Sequence, residues 1–136
     1  MSNGLYIKAK KSLLEGLFDL TDNAMKVALL KGTYSVNINT HEFLSDIPEA
    51  SVAATTDLLT SKSTELGIFD ADNITIENYG TSGFSSLVIY KDTGSRSTSR
   101  LLAYIDTAAG LPVPATPAPI SITISWSNEQ YKIFSL

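Results

Sequence analysis

The sequence predicts a mainly β protein: an antiparallel β-sandwich or jelly-roll-like barrel with a short N-terminal helix. Three observations predict it. Ile120, Ile122, Ile124 and Trp126 alternate with Ser121, Thr123 and Ser125, the period of a strand with one face in a core and one in water. Phe84 to Tyr90 and Arg100 to Ile105 are two further β-rich runs around a Ser- and Arg-rich turn. Short apolar runs then recur along the chain, punctuated by Gly, Asp, Asn and Pro.

The elements follow in order. Leu13, Leu14, Leu17 and Phe18 recur at helical spacing within residues 5–18, and Lys8, Lys10, Lys11 and Glu15 are placed to face water. Gly16 is positioned to end that helix early. Residues 1–18 are read as an N-terminal arm and helix. Thr21 to Asn23 is a turn, and Met25 to Leu30 is a strand closed by Gly32. Thr40 is placed to cap one helical turn around Phe43 and Leu44, which Pro48 stops. Val52 to Leu66 is Thr- and Ser-rich and reads as one or two polar strands. Gly67 to Phe69 and Ile74 to Glu77 read as short strands on either side of Asp70-Ala71-Asp72-Asn73, and Tyr131 to Phe134 as the last strand. Gly110 to Pro119 holds four of the five prolines, which lack amide donors and fix φ. It is expected to be a stiff, extended loop leading into a final hairpin.

Composition narrows the function. A chain of 136 residues fits one domain, 1–136, with a core of its own. There is no Cys, so disulfides, thiolate metal sites and a Cys nucleophile are excluded. The balance is 10 Lys+Arg against 14 Asp+Glu, and the one basic cluster is Lys8, Lys10 and Lys11. Nucleic-acid binding is not expected of an acidic chain with so little clustered positive charge. No apolar run approaches the roughly 20 residues of a membrane helix, and the N-terminus lacks the pattern of a signal peptide. A soluble protein without an export signal is expected.

Four motifs were candidates for chemistry. Asp92-Thr93-Gly94 followed by Ser95 matches the short signature of aspartic proteases. In that chemistry two carboxylates share one proton. Lys91, Arg96 and Arg100 would instead keep Asp92 ionised. Asp-Thr-Gly is also ordinary turn chemistry, in which Asp bonds its own backbone and Gly supplies positive φ. Asp70 to Asn73 begins like a calcium loop, but Ile74 and Thr75 stand where an oxygen ligand and a glycine are required. His41, the one histidine, lacks companion ligands at zinc spacing. The run Gly80 to Phe84 lacks the last glycine of a nucleophile elbow. The expectation is a protein that is not an enzyme and that needs no cofactor or metal.

Seven segments taken in order, "MKVALL", "THEFLSDI", "GIFDADNITI", "LVIYKDTG", "LLAYIDTAAGLPV", "ITISW" and "YKIFSL", resemble a group of small virion proteins of tailed bacteriophages over nearly the whole chain. Pro114 to Pro119 departs from that pattern, where a Gly- or Asn-containing turn would be expected. The resemblance implies a structural part of a virion, assembled in the host cytoplasm. Its first expectation is a capsid decoration or cement protein, bound to the major capsid protein and self-associated, with a trimer favoured. Its alternatives are a tail or neck component, or a host-binding tail module.

A cement protein binds where assembled subunits meet, so its binding energy adds to the closed shell. Extended arms and strand edges are natural contact devices. The expected contact elements are Met1 to Lys11, Gly32 to Asn39 and the proline loop. Tyr6, Tyr34 and Leu111 are the expected anchors, with Lys8, Lys10, Lys11, Pro112 and Pro114 beside them. Each could equally pack inside the monomer.

Overall fold

The computed structural model describes residues 4–20, 23–80, 82–106, 111–124 and 134–135. Along these residues run β1 (Gly4–Leu5), α1 (Ile7–Leu14), β2 (Met25–Leu30), β3 (Val52–Thr55), β4 (Ile68–Phe69), β5 (Ile74–Tyr79), β6 (Ser86–Lys91), β7 (Leu101–Ile105), β8 (Ile120–Ile124) and β9 (Phe134–Ser135). Three-residue 3-10 turns lie at Leu44–Asp46, Glu49–Ser51 and Glu65–Gly67. The protein is mainly β and antiparallel, as the periodicity predicts. Its main sheet is open, in the order β1-β7-β6-β2-β3, and is not closed into a barrel. Two ribbons accompany it, β5 with β8 and β4 with β9.

The inner strands are the most apolar runs in the sequence, and register explains their packing. Val27 opposes Ile89, and Ile89 opposes Ala103, so these three share a face. Ala28, Val88 and Tyr104 share the other. Residues of both faces are buried, so layers cover the sheet on each side. The β5/β8 ribbon contributes to the same core through Tyr79 and Ile124, with Ile74, Ile76, Ile120 and Ile122 packed partly against it. This is the arrangement of a sandwich. The alternation predicted for Ile120 to Ile124 is present, with Ser121 and Thr123 exposed. Trp126 lies outside the described residues.

Several local expectations are revised. The helix spans Ile7–Leu14 and not 5–18. It ends in a Schellman motif: Leu17 N–H donates to Ser12 O at 2.9 Å and Gly16 N–H to Leu13 O at 3.2 Å, with Gly16 at φ +76. Its inward face is Tyr6, Ala9 and Ser12, flanked by half-buried Leu13. Small Ala and Ser let the helix lie close to β7, so Leu14 and Leu17 turn outward while Phe18 is buried. Thr40 does not cap the turn at Leu44–Asp46. Asp46 Oδ2 caps it, accepting from the amides of Glu42 at 2.8 Å and Phe43 at 2.9 Å. Val52 to Leu66 supplies one strand, β3, within the expected one or two, and ends in the 3-10 turn that begins at Glu65.

The segment after the prolines enters β8, which pairs with β5 and so does not form a final hairpin. The last strand described, β9, pairs with β4 instead. Tyr131 to Ile133 lie outside the described residues. Phe84 and Val113 tie the proline segment down by exchanging two backbone bonds, at 2.9 and 2.7 Å. The Leu111–Pro112 peptide is cis.

Candidate interaction surface

Asp92 sits where β6 ends, in a turn. Its Oδ1 accepts from Gly94 N–H at 3.2 Å, and Gly94 has φ +85. Its Oδ2 lies 3.5 Å from Lys26 Nζ. The carboxylate is thus engaged by the turn it builds and by a lysine on the neighbouring strand. The expected turn chemistry is what the geometry displays.

The basic tip after it folds inward. Arg96 Nη2 donates to the carbonyls of Leu44 and Ile47. Arg100 Nη1 donates to Glu42 Oε2 at 2.9 Å and to Ser12 Oγ at 3.2 Å, while its guanidinium lies 5.0 Å from the Phe43 ring centroid. Both arginines are used to hold the 42–47 turn against the sheet. Burial acts against the Asp46 charge. The Glu42 and Phe43 amides, with His41 nearby, outweigh it and hold its carboxyl below the usual value.

Asp70 to Asn73 forms a tight connection between ribbons: Asp72 N–H donates to Thr60 O, and Asp70 exchanges two backbone bonds with Ser63. Among the described residues no three His, Asp or Glu side chains are grouped as a metal ion would require. His41 is half-buried beside two tyrosines. Asn37 N–H points at its Nδ1 at 3.3 Å, which makes that nitrogen the acceptor. Tyr34 Oη, 2.7 Å from the same nitrogen, is then the donor, and Tyr6 Oη donates to Tyr34 Oη across 3.0 Å. Burial, then the bond to Tyr34, pushes the Tyr6 phenol far above its usual value. Burial pushes Tyr34 up to about 12, although the bond received from Tyr6 works the other way.

The expected anchors therefore separate into two groups. Tyr6 is fully buried and Tyr34 is 8% exposed, so both spend their surface inside the chain and offer a partner almost none. The Gly32 to Asn39 segment is also turned inward in part: Val36 and Ile38 pack on the core, and Ile38 O accepts from the first amide of α1 at 2.9 Å. Leu111 is half-buried against the core, while Pro112 and Pro114 are exposed. Lys8, Lys10 and Lys11 are exposed on α1, and Lys11 pairs with Glu15 at 3.0 Å.

What the sequence did not single out is the apolar surface around those lysines. Ile7 and Leu14 stand two turns apart on the outer face of α1, with Lys10 and Lys11 between them. Leu14 is 89% exposed and Ile7 44%. A second exposed leucine, Leu66, is 94% exposed at the end of the loop bridged by Ser63 and Asp70, at φ +56. Only the mismatch between Leu14 and the small inward residues Ala9 and Ser12 could have signalled the first. The bulky residue in a Thr- and Ser-rich stretch was the signal for the second.

No protein-family model matches this chain, and no curated protein matches it.

Proposed function

We propose that this chain is a structural, non-enzymatic protein of a tailed-phage particle that binds the assembled capsid shell as a decoration protein and self-associates there, a trimer being favoured. The reading starts from the ordered segments that resemble small virion proteins. The observation that carries it in the molecule is the outer face of α1: Ile7, Lys10, Lys11 and Leu14 form an apolar and basic stripe on a rigid element that the monomer leaves uncovered. The short edge strands β1 and β3 are further places for a partner strand to add.

A protein of this kind works by linkage. It binds where subunits of the major capsid protein already meet, so each bound copy favours the closed shell over its parts. No turnover is involved, and Asp92 serves a turn.

The test is to add the purified protein to shells and, separately, to unassembled capsid subunits. Binding to shells alone, with a raised temperature of shell disruption, is the expected result. Imaging of virions should then place its density on the shell. Density confined to the tail or neck would replace this reading with that of a tail component.

A further inference from the structure

We infer that two copies of this chain meet head to tail, the outer face of α1 of one copy seated on the acidic loop 63–72 of the next. The inference takes up the self-association in the reading above and names its surfaces; it does not depend on the shell.

Charge is the first argument. Helix α1 carries Lys8, Lys10 and Lys11, the last paired with Glu15 at the helix end, in a chain with 7 other Lys+Arg against 14 Asp+Glu. Another copy of the same chain, acidic outside this helix, offers a counter-surface of opposite charge. The 63–72 loop presents Glu65 and Asp72 at the surface, with Asp70 half-buried between them.

Apolar surface is the second argument. The two most exposed large apolar side chains described, Leu66 and Leu14, lie one in each patch. Beside Leu66 is an open recess of about 210 Å³ lined by Ser63, Glu65, Leu66, Ile68 and Asp70. A leucine with its carboxylate neighbours on one side, and a leucine with its lysines on the other, make a small apolar centre with a charged rim.

Topology is the third. α1 follows β1 at one edge of the main sheet, and the 63–72 loop follows β3 at the opposite edge. Different patches meeting in this way give a heterologous contact, which closes into a ring when the rotation allows it. Like patches would repel, so a two-fold dimer through either one is disfavoured.

The experiment uses the purified full chain and measures mass by sedimentation across a concentration series at low and high salt. The expected result is a closed oligomer that weakens as salt rises. Lys8→Glu with Lys10→Glu, and separately Glu65→Lys with Asp72→Lys, should each give folded monomer, checked by circular dichroism. An equimolar mixture of the two should associate again into alternating pairs, chains or even-membered rings. Every contact between unlike copies is then complementary, while a closed trimer would keep one like-charged contact. Leu66→Asn supplies an independent variant. Asn tolerates the left-handed conformation, so the monomer should melt no lower than the parent while association weakens about tenfold to a hundredfold. A parent that stays monomeric overturns the proposal. So does an oligomer whose mass is unchanged in the variants, or a mixture that fails to associate. Shell binding by a protein that remains monomeric in solution would sink this contact and leave the decoration reading standing.

Discussion

Arg100 Nη1 lies 2.9 Å from Glu42 Oε2, and the pair joins three parts of the chain that are distant in sequence. The arginine is the last residue before β7, Glu42 precedes the 3-10 turn, and Ser12 Oγ on α1 accepts a bond from the same Nη1. Only about a quarter to a third of each charged side chain reaches solvent, at 26% and 33%. Arg100→Ala should therefore lower stability by about 2 kcal/mol, read as a shift in the urea midpoint with an unchanged slope. Arg100→Lys should recover less than half of that, because an ammonium cannot lie flat over Phe43 while forking to Glu42 and Ser12. Full recovery by lysine would reduce the interaction to simple charge pairing.

The buried hydroxyl pair gives an ordered set of outcomes. In Tyr34→Phe, Tyr6 Oη loses its acceptor and His41 Nδ1 loses a donor, which should cost roughly 2–3 kcal/mol. In Tyr6→Phe, Tyr34 can still donate to His41, so the cost should be about 1 kcal/mol. The double variant should cost no more than Tyr34→Phe alone, since removing the Tyr6 hydroxyl also removes the buried group left unpaired. Additive costs in chemical denaturation would contradict a shared chain of bonds.

Alkaline stability follows from the same burial. Tyr34 and Tyr90 are each pushed up to about 12, chiefly by burial, and Tyr6, Tyr79 and Tyr104 are raised for the same first cause. The folded state thus holds these protons more tightly than the unfolded chain does. That stabilisation is complete below the usual phenol value of 10.0 and is lost as pH rises from there through about 12. The melting temperature should fall over that window, and most phenolate absorbance should appear with unfolding. Titration of these tyrosines near 10 in a chain that stays folded would refute it.

How much of this was legible in advance depends on the strength of the local signal. The strands β2, β6, β7 and β8 were readable because long apolar or alternating runs leave few other ways to bury their side chains. The orientation of α1 was not. Leu13, Leu14, Leu17 and Phe18 form the most apolar stripe, yet close approach to β7 favours the face with Ala9 and Ser12. Asp46 displaced Thr40 as the cap because an ionised carboxylate can accept two amides at once. The inward use of Arg96, Arg100, Tyr6 and Tyr34 depends on contacts between residues 28 to 88 positions apart, which no local pattern encodes. The outward leucines follow from those packing choices and could not be read before them.

The proline segment can be tested through Gly83. A Cβ on Gly83 would sit 2.5 Å from Val113 O and 2.8 Å from Ala115 N, both backbone atoms that cannot turn aside as a side chain would. Gly83→Ala must therefore push the segment away, and the two bonds between Phe84 and Val113 would lengthen with it. The expected cost is about 1–3 kcal/mol, with faster hydrogen exchange at the amides of Phe84 and Val113. Gly80→Ala is the matched control, because a Cβ there meets nothing within 4 Å. It should change stability by no more than about 0.5 kcal/mol. Equal effects of the two substitutions would mean that the segment does not lie against Gly83, and Pro112 and Pro114 would lose the fixed placement that a contact role requires.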